Sequence, residues 1–183
     1  MVSEKVNILG VPLNAVTAKQ ALNQLHRWLQ EEKTRLVFTP NAEIIALAQD
    51  NAELKAALTA ADLTVPDGVG VVWAARRLGT PLKERVPGID LLERLMALAA
   101  AEEYTVYFLG SRPGVAQEAA RQLQKRYLGL KIIGICHGYF DVEKEREILA
   151  EVQALKPDIL VVALGAPKQE LWLTRYRQQL PVR

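Results

Sequence analysis

Short apolar segments alternate with amphipathic segments along the whole chain, and this alternation restricts the fold more than any other feature. The clearest apolar segment runs from Thr105 to Leu109, and a segment with helical spacing follows it to about Tyr127. Strands separated by helices of about 10–15 residues require right-handed crossovers, which place helices on both faces of a parallel sheet. The sequence therefore predicts an α/β fold, a Rossmann-like three-layer α/β/α arrangement with a mainly parallel sheet.

The apolar periodicity also predicts the bounds of the individual elements. Strands are predicted at residues 6–9, 35–38, 63–65, 105–109, 131–136 and 159–164. Helices are predicted at residues 42–49, 52–61, 69–78, 89–101 and 143–155, with a last one beginning near Pro167. Thr17 and Gln20 form the pattern of a capping box and predict the start of the first helix.

Length and composition limit the domain count and the class of protein. The 183 residues fit one domain with its own core, so we expect residues 1–183 to form a single domain. A net charge of +2 gives no reason to expect a nucleic-acid partner. The one cysteine, Cys136, excludes an internal disulfide and is typical of a reducing cytosol. No apolar run approaches the roughly 18 residues of a membrane span.

Polar residues and glycines collect where the predicted strands end. Ligands of open α/β sheets bind beyond the carboxyl ends of the strands, so this placement favours a binding site. Each loop alone is equally consistent with ordinary turn chemistry, and only the whole set favours function. The residues are Thr39, Asn41, Asp67, Gly110, Ser111, Tyr139, Gly165 and Gln169.

Two of these loops, and the separate loop from Pro81 to Pro87, contain residues suited to phosphate chemistry or proton transfer. The turn at Gly110 and Ser111 joins a strand to a helix start, where free amides and the helix dipole favour a diphosphate. Asp67 could act as a general base, or simply form its turn. Arg85 could neutralise a phosphate, or simply be solvated.

Several other chemistries are disfavoured. The chain has no Gly-Lys-Ser/Thr of a P-loop, no Asp-x-Asp pair and no Cys/His cluster with zinc spacing. Gly68 and Gly70 resemble part of a dinucleotide fingerprint, but Trp73 stands where the third glycine should be, which disfavours a dehydrogenase. A nucleotide-binding module without catalysis remains an alternative.

Five segments in order along nearly the whole chain resemble the WecG/TagA/CpsF glycosyltransferase family. They are residues 39–45 (TPNAEII), 66–72 (PDGVGVV), 84–91 (ERVPGIDL), 108–111 (FLGS) and 165–170 (GAPKQE). The resemblance implies an inverting, metal-independent hexosyltransferase that uses a UDP-sugar donor and undecaprenyl-diphosphate-linked GlcNAc as acceptor. In the TagA branch, which is most similar, the donor is UDP-N-acetylmannosamine (UDP-ManNAc) and the product belongs to wall teichoic acid biosynthesis. Transfer of N-acetylmannosaminuronate or another hexose, in enterobacterial common antigen or capsule synthesis, is the alternative within the family.

The resemblance also implies roles for individual residues. Asp67 resembles the general base that deprotonates the GlcNAc 4-hydroxyl, and Arg85 resembles the residue that stabilises the leaving diphosphate. The polar groups that orient the sugars correspond to Thr39, Asn41 and Gln169. The nucleotide is expected to contact Gly110, Ser111, Tyr139 and Gly165. No cofactor and no metal ion are expected.

Family members normally continue further, with a basic amphipathic segment that we expect to contact the membrane. No such segment follows Arg183 in this sequence, so we expect the chain alone to be weakly active or inactive in vitro. The resemblance implies a cytoplasmic protein, peripheral on the inner face of the bacterial plasma membrane. The apolar side chains of helices 42–49 and 52–61 belong mainly to the core, and any exposed part could form a homo-oligomer interface.

Overall fold

The computed structural model describes residues 4–182 and alternates strands with helices in the predicted order. The strands are β1 (Lys5–Ile8), β2 (Val11–Asn14), β3 (Val37–Phe38), β4 (Leu63–Thr64), β5 (Thr105–Gly110), β6 (Lys131–Cys136) and β7 (Ile159–Ala163). The helices are α1 (Ala18–Trp28), α2 (Ala42–Asp50), α3 (Ala52–Ala60), α4 (Val69–Arg77), α5 (Gly88–Ala101), α6 (Val115–Arg126), α7 (Val142–Leu155) and α8 (Lys168–Tyr176). The α/β class is confirmed.

Strand β5 lies at the centre of a three-stranded parallel sheet with the order β6–β5–β7. Its side chains alternate between two cores, as the period of two in a strand requires. Val106 and Phe108 pack in the cluster that contains Met96 of α5, whereas Tyr107 and Leu109 pack in the cluster that contains Ile148 of α7. Helices therefore cover both faces of this sheet, which confirms the three-layer prediction.

The predicted sheet is divided, because β3 and β4 form a separate parallel pair with only two residues in each strand. Val37 lies opposite Leu63, and Phe38 lies opposite Thr64. Pro40 and Pro66 follow closely, and a proline cannot donate a further ladder hydrogen bond. Both strands therefore stop at the same edge, where their polar loops begin.

The first predicted strand is in fact a hairpin, in which β1 pairs antiparallel with β2. Leu9 and Gly10 form the turn with φ of 52° and 85°, and the amide of Gly10 donates to Asn7 Oδ1 at 2.8 Å. A two-residue turn of type I′ needs positive φ at both positions, and leucine rarely adopts it, so the residue at position 9 did not predict a turn. Asn14 Oδ1 accepts from the amide of Thr64 at 2.9 Å and attaches the hairpin to β4.

The helix predictions hold in detail at two places. The Thr17 capping box is confirmed, because Thr17 Oγ1 accepts from the amide of Gln20 at 3.2 Å and Gln20 Oε1 accepts from the amide of Thr17 at 3.0 Å. Helices α2 and α3 bury Ile45 and Leu54 in the core, while Leu47 is exposed. A homo-oligomer interface on these helices stays a prediction.

No helix within residues 4–182 is long and apolar enough to cross a membrane.

Gly110, at the end of β5, is packed directly against β7. Its φ is 138°, and a Cβ atom there would lie 2.3 Å from the carbonyl oxygen of Ala163. Gly114 also has positive φ, at 85°, but a Cβ atom there would meet nothing within 4 Å. A substitution at Gly114 therefore adds backbone strain alone, whereas one at Gly110 adds both backbone strain and a steric clash.

We expect Gly110→Ala to lower the free energy of unfolding by at least about 3 kcal/mol, because strain and overpacking act together. Gly114→Ala should cost only about 1 kcal/mol, the cost of the left-handed backbone alone. Urea unfolding of both variants measures the difference. Equal losses would show that the contact between Gly110 and Ala163 is not tight.

The buried phenol of Tyr107 leads us to expect that the protein is less stable at alkaline pH. Burial, reinforced by the hydrogen bond from its hydroxyl to Glu151 at 2.9 Å, raises the pKa of the Tyr107 phenol in the folded protein. Its contribution is complete below the unfolded pKa of about 10 and is lost as the pH rises toward the folded pKa. Above pH 10 the free energy of unfolding should therefore fall by up to about 1.4 kcal/mol per pH unit. Denaturation across this range should show a shallower slope for Tyr107→Phe than for the unaltered protein.

Candidate functional site

The turns that follow β3 and β4 lie side by side and are held by backbone and capping bonds. The amide of Asp67 donates to the carbonyl of Pro40 at 3.2 Å. Asn41 caps α2, because its Oδ1 accepts from the amide of Ile44 at 2.9 Å. The Asn41 oxygen is therefore already used by the helix, which leaves its side-chain amino group for any ligand.

The Asp67 carboxylate is anchored at the start of α5. Its Oδ2 accepts from the amide of Gly88 at 3.0 Å, and the side chain is only half-buried. Its other oxygen has no hydrogen-bond partner in the part of the chain that the structure describes. A negative charge at a helix N-terminus is favoured by the helix dipole, so one oxygen is held in place while the second remains available.

Gly88 brings Thr39 next to this carboxylate. A Cβ atom at Gly88 would lie 2.8 Å from Thr39 Oγ1 and 3.2 Å from Thr39 Cβ. Only a residue without a side chain allows this approach. Apart from its place in residues 84–91, nothing in the sequence marked Gly88 as a site residue, because the close approach of Thr39 depends on the absence of a Cβ atom.

Arg85 lies on the loop beside the Asp67 turn. The neighbouring amide of Val86 donates to the carbonyl of Pro66 at 2.9 Å, which fixes this loop along the end of β4. The Arg85 side chain is exposed and forms no ion pair with any residue from 4 to 182. Its charge is therefore available to an anion next to Asp67.

Gln169 shares a cavity of about 280 Å³ with Thr39 and Gly88. This cavity is lined by residues of β3 and β7 but by none of β4 or β5, their ladder partners. Within residues 4–182, β3 pairs only with β4 and β7 pairs only with β5. The unpaired edges of the two strands therefore face the cavity, which separates the two sheets.

A second, open cavity of about 800 Å³ brings together three residues expected at the nucleotide, Ser111, Tyr139 and Gly165. The turn after β5 is fixed on both sides: the amide of Ser111 donates to Ala163, and its carbonyl accepts from Gly138, both at 2.9 Å. Gly110 is not among the lining residues. Its close approach is to β7 rather than to open space, so its role is in packing.

Two cations in the second cavity were not singled out from the sequence. Arg112 is exposed, and Lys168 lies with its Nζ 4.7 Å from the ring centroid of Phe140 and 3.4 Å from the carbonyl oxygen of Gly138. Lys168 belongs to the GAPKQE segment, and Arg112 follows Ser111 directly. These positions, one inside a family segment and one directly after another, were the signal that could have identified the two residues.

The segment from Gly165 to Gln169 connects the two cavities. The amide of Gly165 donates to Gln169 Oε1 at 3.1 Å, so the end of β7 and the start of α8 form one unit. Gly165 lines the second cavity, and Gln169 lines the first. The structure thus arranges the predicted residues in two adjacent groups along one edge.

The remaining titratable groups near this edge do not form an alternative centre. Burial raises the pKa of the Cys136 thiol, which disfavours the thiolate that a nucleophile needs. His137 Nδ1 accepts from the amide of Tyr139 at 3.2 Å and so stabilises its own turn. Among the described residues, no three His, Cys, Asp or Glu side chains cluster as a metal site would require.

Two relatives have similar sequences and carry the same descriptive name. The chain is 34% identical to an N-acetylglucosaminyldiphosphoundecaprenol N-acetyl-beta-D-mannosaminyltransferase of Bacillus spizizenii, over 84% of this chain and 59% of that protein. It is 33% identical to a protein of the same name from Staphylococcus aureus strain MRSA252, over 96% of this chain and 69% of that protein. The chain therefore spans only about three fifths to two thirds of the length of these relatives.

A family model described as "Glycosyl transferase WecG/TagA/CpsF family" matches residues 6–183. The match includes all five segments noted in the sequence, and the structure places residues of these segments at one edge of the fold. On these grounds, the chain belongs to the WecG/TagA/CpsF family of glycosyltransferases.

Proposed function

We propose that this chain is the single-domain catalytic core of a transferase that moves N-acetylmannosamine from UDP-ManNAc to undecaprenyl-diphosphate-linked GlcNAc. The names of the relatives support this donor sugar and this acceptor. The structural observation that carries the proposal is the bond between Asp67 Oδ2 and Gly88, beside the cavity of Thr39 and Gln169. It provides a fixed carboxylate with one free oxygen where a sugar hydroxyl can approach.

The chemistry is a single displacement that inverts the anomeric carbon. Asp67 takes the proton of the acceptor hydroxyl as that oxygen attacks C1 of the donor sugar. The bond between C1 and the diphosphate oxygen breaks, and its electron pair leaves with UDP. Arg85 is exposed beside this carboxylate and stabilises the negative charge that develops on the diphosphate. The reaction in this form uses no cofactor and no metal ion.

The second cavity holds the nucleotide. Tyr139 offers an exposed aromatic ring to the base, and Ser111 and Gly165 offer polar groups at the turns. Lys168 and Arg112 add two positive charges near the N-terminus of α6, where phosphate groups are favoured. The diphosphate then lies between the two cavities, next to the segment from Gly165 to Gln169.

The acceptor lipid assigns a location to this reaction. An undecaprenyl chain stays in the bilayer, so the enzyme works as a peripheral protein on the cytoplasmic face of the plasma membrane, in wall teichoic acid biosynthesis. Contact with the membrane surface is proposed through a basic amphipathic segment of the kind that the family resemblance implies. A homo-oligomer is compatible with this arrangement, and nucleic acid is not a partner.

Asp67→Asn should reduce turnover by about 10²–10⁴-fold, because an amide cannot accept the proton. Binding of UDP should stay within twofold, since Asp67 lies outside the nucleotide cavity. Initial rates with UDP-ManNAc and a short-chain GlcNAc-diphosphate lipid test this, both for this chain and for a full-length relative with the equivalent substitution. Asp90→Asn, an exposed carboxylate in the first turn of α5, is the matched control. Unchanged turnover of Asp67→Asn would refute the base role and favour a non-catalytic nucleotide-binding module.

Lys168→Gln and Arg112→Gln should each weaken UDP binding by about five- to tenfold, which corresponds to roughly 1 kcal/mol per lost charged contact. The remaining affinity should depend less on salt concentration, because one attraction to the diphosphate is lost. Isothermal titration with UDP measures both effects. Lys125→Gln, in the last turn of α6, removes an equal charge at the far end of that helix. If it weakens binding equally, the effect is one of net charge alone.

A further inference from the structure

The carboxamide of Gln169 is held at both of its ends. Its Oε1 accepts from the amide of Gly165 at 3.1 Å, and its Nε2 donates to Glu170 Oε1 at 2.9 Å. The backbone amide of Gly165 can only donate, so the oxygen of the carboxamide faces Gly165 and its amino end faces Glu170. One N–H of Nε2 is left without a partner among residues 4–182. This N–H belongs to a half-buried side chain that lines the cavity of Thr39.

Glu170 is an unusual residue for its position. It is 2% exposed, and its Oε2 has no hydrogen-bond partner in the described part of the chain. The surrounding cavity wall is largely apolar, with Leu92, Val161 and Leu173 among its members. A buried carboxylate with an unbonded oxygen costs free energy, and an apolar side chain would suit this wall better. Stability of the fold therefore does not explain a glutamate here.

We propose that Glu170 is a positioning residue that makes Gln169 a hydrogen-bond donor to the sugar of the donor nucleotide. The inference rests on the proposed function. It adds that, in one contact with the sugar, the protein donates the hydrogen bond and the sugar accepts it. With its amino end fixed by Glu170, Gln169 presents an N–H to the cavity and can be satisfied only by an oxygen acceptor. The sugar, rather than the nucleotide, supplies this oxygen, because Gln169 and Glu170 line the cavity of Thr39 and not that of Ser111 and Tyr139.

Replacing the Glu170 carboxylate by an amide should weaken the preference of the Gln169 carboxamide for this orientation. In Glu170→Gln the new side chain can also donate, so only the bond from the Gly165 amide still opposes an inverted Gln169 carboxamide, which would present its oxygen to the sugar. We expect the Kd for UDP-ManNAc to rise about tenfold, which corresponds to about 1.4 kcal/mol. The Kd for UDP should change less than twofold. Isothermal titration of the 183-residue protein with each ligand gives the ratio of the two constants.

Two further variants separate positioning from a structural role. Glu145 also binds α8, because it accepts from Trp172 Nε1 at 2.9 Å and from the Tyr176 hydroxyl at 3.0 Å. Glu145→Gln should lower the melting temperature without changing the ratio of the two Kd values. The double variant Gln169→Glu/Glu170→Gln can re-form a bond between the two side chains with reversed polarity. It should fold and still bind UDP-ManNAc at least tenfold more weakly.

The outcomes are distinct for this inference and for the proposed function. If Glu170→Gln changes neither constant, or weakens UDP and UDP-ManNAc equally, Glu170 does not position Gln169 and the inference is wrong. Full affinity of the double variant for UDP-ManNAc would also overturn it. If the unaltered protein binds UDP but no UDP-sugar tightly enough to measure, the proposed function fails and the inference fails with it.

Discussion

The burial of β5 on both faces is the constraint on which the rest of the structure depends. Val106 and Phe108 anchor the layer of α5 and α6, while Tyr107 and Leu109 anchor the layer of α7 and α8. A strand packed in this way cannot slip by one residue without exchanging both cores. The register of β5 therefore fixes where β6 and β7 end along the sheet. The loops that carry the polar residues of the second cavity inherit their positions from those ends.

The candidate site is built from two parts. The pair β3–β4 and the start of α5 supply the carboxylate and the small cavity, whereas the sheet β6–β5–β7 supplies the turns and cations of the larger cavity. The segment from Gly165 to Gln169 contributes lining residues to both cavities. A substitution there should therefore affect both parts, while one in either sheet affects mainly its own part.

The sequence predicted most elements because apolar periodicity and capping residues are local signals, as at Thr17 and at the alternating side chains of β5. It missed the β1–β2 hairpin because Leu9 adopts a backbone conformation that its residue type does not announce. The motif residues of the site could be located on their loops. The contact of Gly88 with Thr39 and the bond of Glu170 to Gln169 could not be predicted from the sequence. The first depends on how two distant segments pack together, and the second depends on how two neighbouring side chains are oriented in the folded protein.

The unpaired edges of β3 and β7 have a consequence for hydration. Backbone N–H and C=O groups that face the cavity from these edges require partners, and water supplies them when the cavity is open. The wall is thus largely apolar in its side chains, whereas the main chain along its two strand edges requires hydrogen-bond partners. In the proposed function, a hexose that enters this space replaces that water with its own hydroxyl groups, so the enthalpy of binding should depend on how well those hydroxyls replace the displaced water.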